Sequence, residues 1–181
     1  KKSIYLSTFI FSDDSSAVKI AKALCYKARK GIDVRIMVDS YGGKKFYRRY
    51  ANRLRNCKAG ILRFNPPRWG LEKVAYVIHE KLIIIDGEIV HMGGNGIGNA
   101  YHHVPKAADK YFYDMDVKIK GSIACWYHNE FIKYYRRSIL WDSPADDIMT
   151  GREGGRSAQF EAILFGPSYY EDCYDSNYGE A

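Results

Sequence analysis

The sequence has no long hydrophobic run, although it is apolar enough to fold. Its 181 residues include 46% hydrophobic residues, enough for the core of one domain. An apolar run such as residues 82–85 is four residues long, far below the roughly 18 that a membrane-spanning helix needs. We therefore expect no membrane-spanning segment. The chain begins at Lys1 instead of methionine and shows no basic and apolar leader, which predicts a processed or excised chain.

The sequence also lacks closely spaced cysteines. Its four cysteines, at positions 25, 57, 125 and 173, form no Cys-x-x-Cys pair, so a structural zinc site is not expected. Cys25 and Cys125 fall in apolar helical patterns and are expected to be thiols in the core, while the even number leaves disulfides open. His102 and His103 have no carboxylate or cysteine at ligand spacing, and no metal or other cofactor is predicted.

Positive charge is concentrated in one part of the chain. The net charge is +7, but residues 19–73 hold 16 Lys and Arg against three acidic residues, a balance of +13. Residues 142–181 hold nine acidic residues against two Arg, a balance of −7. The basic segment suits an anionic partner, either a phosphate-bearing substrate or an acidic surface, although a solvated helix face accounts equally well for such a run.

Alternating strand and helix patterns predict an α/β fold. Strands are predicted at residues 3–11, 33–39, 60–64, 74–78, 82–86, 88–92 and 113–120, with Asp86-Gly87 as a hairpin turn. Helices are predicted at residues 16–30, 45–56 and 123–140, the first of them preceded by a capping turn and ended by Gly31. This order predicts a layered mixed β-sheet flanked by helices. Three aromatic residues of the last helix are expected in its core: Trp126, Phe131 and Trp141.

One group of residues combines side chains suited to chemistry at phosphate. His79 and Lys81 point to the same face of a strand because side chains alternate. An imidazole can attack phosphorus near neutral pH, and an ammonium group can neutralise a non-bridging oxygen. The pair Gly93-Gly94 would let backbone N–H groups approach an oxyanion. His-x-Lys alone is a weak signal that a surface strand can carry by chance, but the longer pattern ending in Asp86 is more restrictive.

This longer pattern resembles the signature of the phospholipase D superfamily, His-x-Lys-x4-Asp followed by a glycine-rich stretch. HEKLIIID matches it at His79, Lys81 and Asp86. The flanking segments resemble the cardiolipin synthase branch in particular, in continuous order over about residues 4–141: STFIFSDD, ALCYKARKGIDVRIMVD, AGILRFNPP, IDGEIVHMGGNGIGNAY and YDMDVKIKG. The resemblance implies a phospholipase D-like half domain.

The resemblance implies a role for each residue of the signature. His79 would be either the nucleophile that forms a phosphohistidine intermediate or the acid that protonates the leaving group. Lys81 would bind the phosphate. Asp86, the third residue of the signature, would fix the local hydrogen bonding instead of acting as a general base.

The glycine-rich stretch would bind the substrate phosphate through Gly93, Gly94 and Asn95. The chain departs from the family here, because Gly96 stands where an asparagine is usual. Asn95 would then replace that contact through a shifted loop, or the contact would be lost. Asn99 likewise stands where the synthase branch more often has an acidic residue.

The chain holds one copy of a motif that the superfamily uses in pairs. One histidine attacks and the other protonates, since a single imidazole cannot do both at once. Either two copies of the chain meet across a twofold interface, or a second half is missing. A first half is favoured, because QFEAILF at residues 159–165 resembles the opening strand of a second half. We thus predict a domain at residues 1–143, a linker at residues 144–158, and the start of a second half or a tail at residues 159–181.

Three functions are compatible with this pattern. The leading one is phosphatidyl transfer of cardiolipin synthase type by a membrane-associated enzyme, with the phosphate of a phospholipid as substrate. The second is a metal-independent endonuclease that acts as a dimer and tracks nucleic acid with its basic segment. The third is a non-catalytic half that presents a basic surface.

Overall fold

Six strands and three helices make up the part of the chain that the structure describes. This computed structural model covers residues 2–64, 77–102 and 112–142, and describes side chains up to residue 139. The strands are β1 (Ser3–Thr8), β2 (Asp33–Asp39), β3 (Gly60–Phe64), β4 (Lys81–Ile85), β5 (Ile89–Gly93) and β6 (Asp116–Lys120), and the helices are α1 (Ser15–Arg29), α2 (Lys44–Asn56) and α3 (Ser122–Asp142).

The six strands form one mixed sheet in the order β3-β2-β1-β4-β5-β6. Strands β1, β2 and β3 are parallel, and helices α1 and α2 provide the crossovers that parallel neighbours need. Strand β4 is antiparallel to β1, and β5 and β6 continue the antiparallel pairing. The predicted layered α/β fold with a mixed sheet is therefore confirmed.

Different helices cover the two faces of the sheet. Helices α1 and α2 pack on one face, in a core that includes Leu6 and Ile36. Helix α3 packs on the other face, in a core that includes Tyr5 and Met37. Neighbouring residues of one strand enter different cores because successive side chains point to opposite faces. The sheet is thus a shared wall between two apolar layers.

Local sequence signals set both ends of α1. The Asp14 side chain accepts a hydrogen bond from the Ala17 N–H at 3.1 Å, which satisfies one of the free donors of the first helical turn. After the helix, Gly31 adopts φ +84°, a left-handed conformation that glycine reaches without a steric penalty. The predicted capping turn and the predicted glycine stop are both confirmed.

The predicted hairpin turn between β4 and β5 is also confirmed. Asp86 and Gly87 have φ angles of 57° and 69°, and the Glu88 N–H donates to the Ile85 carbonyl at 3.0 Å. Two consecutive positive φ angles define the turn whose twist matches that of paired strands.

Three predicted strand assignments are wrong at their ends. The first strand ends at Thr8 instead of residue 11, and the last begins at Asp116 instead of residue 113. Val77 and Ile78, placed in a strand by the sequence pattern, have no strand pairing. Ile78 is buried without a strand partner, whereas Val77 is 42% exposed.

The core prediction for the aromatic residues of α3 holds for Phe131 and fails for Trp126. Phe131 is buried, whereas Trp126 is 50% exposed. Positions 126 and 131 lie on opposite sides of a helix with 3.6 residues per turn, and only one side faces the sheet.

The cysteines also differ from expectation. Cys25 of α1 and Cys57, which follows α2, form a disulfide with Cα atoms 5.2 Å apart, and Cys125 is likewise disulfide-bonded. The expectation of thiols at Cys25 and Cys125 is therefore wrong. Pairing over 32 residues depends on how α1 packs beside α2, which helical periodicity does not specify.

Several predictions concern residues outside the described ranges and stay predictions. These are the predicted strands at residues 74–76 and 159–165, the linker at residues 144–158, the segment at residues 159–181, His103 and the side chain of Trp141. Within the described residues, no helix is both long and apolar enough to cross a membrane.

The disulfide predicts a loss of stability when its sulfurs are removed. The double substitution Cys25→Ala/Cys57→Ala should lower the free energy of unfolding by about 3 to 4 kcal/mol, since the crosslink restricts the unfolded chain over a loop of this size. Urea unfolding of both proteins under oxidising conditions measures the difference. Equal midpoints and slopes for the two proteins would contradict the expectation.

Candidate active site

The residues of interest lie at one end of the sheet, where β1 and β2 finish and β4 begins. Because β4 is antiparallel to β1, its first residue, Lys81, pairs with the last residue of β1, Thr8. The carboxyl end of β5 meets the same end of the sheet, since Leu82 pairs with Met92. The two predicted groups, around His79 and around the glycine pair, are thereby brought to one place.

His79 and Lys81 lie side by side at the start of β4. The His79 side chain is exposed, and its ring contacts the Phe9 ring with centroids 5.1 Å apart. The Lys81 Nζ donates to the His79 backbone carbonyl at 3.0 Å. The contact thus joins the ammonium group to the backbone of the histidine and leaves the imidazole open to solvent.

Asp39, at the carboxyl end of β2, anchors the segment that leads into this pair. Its buried carboxylate accepts hydrogen bonds from the N–H groups of Tyr41 at 2.7 Å and Gly42 at 3.0 Å through one oxygen. The other oxygen accepts from the Ile78 N–H at 3.1 Å. A carboxylate that accepts several N–H groups holds its neighbours firmly. Asp39 therefore fixes the residue before His79 against the end of β2.

A shallow cavity of about 70 Å³ lies beside the pair. The polar side chains that line it include Lys81 and Asn95, which can bind a phosphate, and Asp116, whose carboxylate would repel one. His91, on β5, also lines the cavity, whereas His79 lies outside its walls. The cavity brings the predicted Lys81 and Asn95 together.

The glycine pair is required by close packing against the segment before β6. A Cβ atom on Gly93 would collide with Asp116, and one on Gly94 would collide with the Asp114 carboxylate. The Gly94 N–H donates to the Met115 carbonyl at 3.2 Å, and the Asn95 N–H to the Asp116 carboxylate at 3.3 Å. The Gly94 N–H, which was expected to approach an oxyanion, is thus engaged within the protein, and so is the Asn95 N–H.

The loop after the glycine pair is joined to the segment that follows β1. The Ile97 N–H donates to the Ile10 carbonyl at 2.9 Å, and the Ser12 N–H donates to the Ile97 carbonyl at 2.8 Å. Gly96 is buried in this loop, and a Cβ there would lie 2.7 Å from the Tyr101 ring. The space that a side chain at this position would need is occupied, which explains the glycine.

Asn99 ends the loop by capping α1. Its side-chain oxygen accepts from the Ser15 hydroxyl at 2.9 Å and from the Ser16 N–H at 3.0 Å, and its own N–H donates to Asp14 at 2.8 Å. An acidic side chain could accept the same two hydrogen bonds, so the departure from the family at Asn99 preserves this contact.

The structure does not bring Asp86 to His79 and Lys81. Asp86 follows β4 at its opposite end, roughly 16 Å from Lys81 for a strand rise of about 3.3 Å per residue. There it accepts a hydrogen bond from the Ser3 N–H at 2.7 Å. This contact ties the hairpin turn to the start of β1.

Two ionisable groups near the site have shifted pKa values. Desolvation raises the pKa of the Glu80 carboxyl, while hydrogen bonding by the Ser7 hydroxyl acts to lower this pKa. Desolvation, and after it the negative charge of Asp114, raise the pKa of Tyr101. A raised pKa favours the protonated form of each group, and Glu80 itself remains exposed at the start of β4.

Sequence reasoning missed Asp39 and Asp116. Asp39 was visible as the last residue of a strand at the carboxyl edge of a parallel sheet, which is where binding residues gather. Asp116 gave no local signal, since its place beside Asn95 depends on the pairing of β5 with β6.

Comparison with known families identifies the domain. Residues 1–135 match the family described as the cardiolipin synthase, PLD-like domain. The chain belongs to this phospholipase D-like family. The match covers every described element up to the first two-thirds of α3, and it confirms the resemblance given by the sequence.

Curated relatives of this phospholipase D-like domain are cardiolipin synthases. The chain is 26% identical over 180 aligned residues to a cardiolipin synthase of Oceanobacillus iheyensis, covering 99% of this chain and 33% of the relative. It is 34% identical over 103 residues to cardiolipin synthase 1 of Bacillus cereus, covering 56% of this chain and 20% of the relative. The chain thus spans a third or less of these relatives.

Solved structures show the same fold. The phospholipase D family member Nuc from Salmonella typhimurium superposes with a TM-score of 0.55 at 20% identity, over 75% of this chain and 78% of Nuc. The phosphatidylserine synthase of Haemophilus influenzae superposes with a TM-score of 0.56 at 22% identity, over 75% of this chain and 32% of the synthase. At these identities the likeness concerns the fold.

The Asp39 contacts predict a stability difference. Asp39→Ala leaves three N–H groups without their acceptor and should lower the free energy of unfolding by at least about 2 kcal/mol, with Asp39→Asn between it and the parent. Asp13→Ala is the control, because it removes an exposed ion pair with Arg49 that contributes about 1 kcal/mol at most. Urea unfolding measures all three. An Asp39→Ala protein as stable as the Asp13→Ala control would refute the anchoring role.

Proposed function

We propose that this domain supplies one half of a phosphodiester-transfer site of cardiolipin synthase type. The observation that carries the proposal is the exposed imidazole of His79 beside Lys81, whose side chain lines an open cavity. Family membership supports the same class of chemistry. The substrate is the phosphate of an anionic phospholipid, and the domain acts at the surface of the membrane that holds this lipid.

The reaction runs in two transfers at phosphorus. His79 attacks the phosphorus of the donor lipid, the P–N bond forms as the P–O bond to the headgroup breaks, and the departing alkoxide takes a proton from an acid. An acceptor hydroxyl then attacks the phosphohistidine and gives its proton to the group that acted as the acid in the first step. This second transfer frees the imidazole. Lys81 neutralises the non-bridging oxygens in both steps. Water in place of the acceptor gives hydrolysis.

The acid must be a second histidine from another half. An imidazole that acts as nucleophile cannot at the same time donate the proton to the leaving group. A matching motif therefore comes from a second half of the same protein or from a second copy of this domain.

One part of the sheet suits such pairing. Ile83 packs against the core beneath α1 and α2, so Lys81, two residues before it, lies on that face by alternation. Helix α1 contacts β2, and helix α2 contacts β2 and β3, while Ile85, at the far end of β4, is 38% exposed. Docking of a second half on this face would set its histidine opposite His79.

A metal-independent endonuclease is the second candidate. It is favoured by the basic helices α1 and α2, whose exposed Lys and Arg could follow a phosphate backbone. The same nucleophile and cation would then act on a nucleic-acid phosphodiester.

Loss of the nucleophile predicts loss of turnover. In the complete protein that contains this domain, His79→Ala should lower the formation of cardiolipin from phosphatidylglycerol vesicles by about 10³-fold or more, since no other group replaces the nucleophile. His102→Gln is the matched control, because His102 is also exposed but lies outside the site, and it should keep turnover within about twofold. Mass spectrometry of the lipid products measures both.

The same assay separates the alternatives. Metal-independent cleavage of DNA or RNA without any lipid product would replace the synthase proposal with the nuclease. Absence of turnover on both substrates by the complete protein would contradict both catalytic functions and favour a non-catalytic half.

A further inference from the structure

The outer surface of helices α1 and α2 is strongly and one-sidedly charged. Twelve exposed cations lie on the two helices and directly after them, and we call this set the basic layer: Lys19, Lys22, Lys27, Arg29, Lys30, Lys44, Lys45, Arg48, Arg49, Arg53, Arg55 and Lys58. Neither helix contains a single Asp or Glu. A solvated helix face ordinarily mixes both signs of charge. A layer with cations alone therefore indicates an anionic partner.

Most cations of the basic layer have no carboxylate partner among the described residues. Among the described residues, Arg49 is the one member with an ion pair, to Asp13 at 2.9 Å. The two acidic residues between the helices are occupied elsewhere, Asp33 by Tyr5 and Arg35, and Asp39 by backbone N–H groups. The layer therefore presents a strongly positive potential to solvent.

Part of the basic layer lies toward the candidate active site. Helices α1 and α2 both begin at the end of the sheet where β1 and β2 finish, which is the end that holds Lys81. Both helices also pack on the face of the sheet toward which Ile83 points, and alternation places Lys81 on that face. The members of the layer near the starts of the helices, such as Lys19, Lys44 and Lys45, therefore lie toward the site, whereas those near the ends of the helices lie toward the opposite end of the sheet.

We propose that the basic layer docks this domain on an anionic phospholipid bilayer and so presents the site to lipid headgroups. The inference rests on the proposed function, since a phosphatidyl transferase must reach substrate that is held in a membrane. Clusters of Lys and Arg bind anionic bilayers with a contribution from each cation near the surface. Two exposed tyrosines, Tyr26 (58%) and Tyr41 (77%), supply the amphipathic rings that favour the headgroup region.

The binding is electrostatic and shallow. The apolar residues of α1 and α2 face the core, which leaves no apolar stripe for insertion into the acyl region. Docking should therefore weaken steeply with ionic strength, because salt screens charges that remain in contact with water.

The test measures vesicle binding apart from turnover. The complete protein, carrying His79→Ala so that lipid composition stays constant, is sedimented with vesicles of phosphatidylcholine alone or with about one-third phosphatidylglycerol. Strong binding is expected for the anionic vesicles alone. Raising the salt from about 0.1 M to about 0.5 M should release the protein.

Two triple variants with the same change in charge locate the surface. Lys22→Gln/Lys45→Gln/Arg48→Gln removes three cations of the basic layer and should weaken binding to anionic vesicles by about tenfold or more. Lys2→Gln/Lys133→Gln/Arg137→Gln removes three exposed cations outside the layer and should change binding by less than about threefold. Gln retains helix propensity similar to that of Lys and Arg, so both variants should fold.

Each outcome decides a separate claim. Equal weakening by the two triple variants, or binding indifferent to phosphatidylglycerol, would overturn the docking surface even where the protein with His79 forms cardiolipin. Selective binding of a DNA duplex with no affinity for anionic vesicles would assign the layer to nucleic acid instead. Anionic vesicle binding through the layer without lipid turnover would uphold the surface and overturn the proposed function.

Discussion

The site depends on the antiparallel pairing of β4 with β1 and on the Asp39 carboxylate, which binds the segment that leads into β4. A strand that runs against the parallel part of the sheet starts where its neighbours end, so His79 and Lys81 arrive at the carboxyl ends of β1 and β2. Asp39 holds the preceding residue through the Ile78 N–H. A nucleophile must be held precisely to act. The buried Asp39 side chain links β2 to Ile78, the residue before the nucleophile His79.

The rest of the fold reconciles this site with an unusual concentration of charge. The charged residues of α1 and α2 are all cations. The two helices pack side by side on the sheet, and like charges at close range repel. The shared core beneath them, which includes the stacked pair Phe11 and Phe46, and the crosslink between Cys25 and Cys57 oppose that repulsion. A charge pattern retained at this cost is consistent with binding to an anionic surface.

Local signals made much of the fold predictable, whereas contacts between distant segments were not predictable. Positive φ angles at Asp86 and Gly87 and the cap at Asp14 follow from the residue types present there, and the layered mixed sheet follows from the alternation of strand and helix patterns, whereas the order of the strands was not predicted. The exposure of Trp126 depends on which side of α3 meets the sheet. In the site, the motif identified His79 and Lys81, but the link from Asp39 to Ile78 joins residues 39 apart and exists only in the folded chain.

The central claim is that the phosphoryl group passes through His79, and trapping it there is the most direct measurement. The complete protein would be mixed with phosphatidylglycerol, stopped within one turnover by denaturant at alkaline pH, digested, and its histidine peptides analysed by mass spectrometry. The account predicts a phosphatidyl adduct on the imidazole of His79. Turnover with an unmodified His79, or with the adduct on another histidine of this chain, would contradict it.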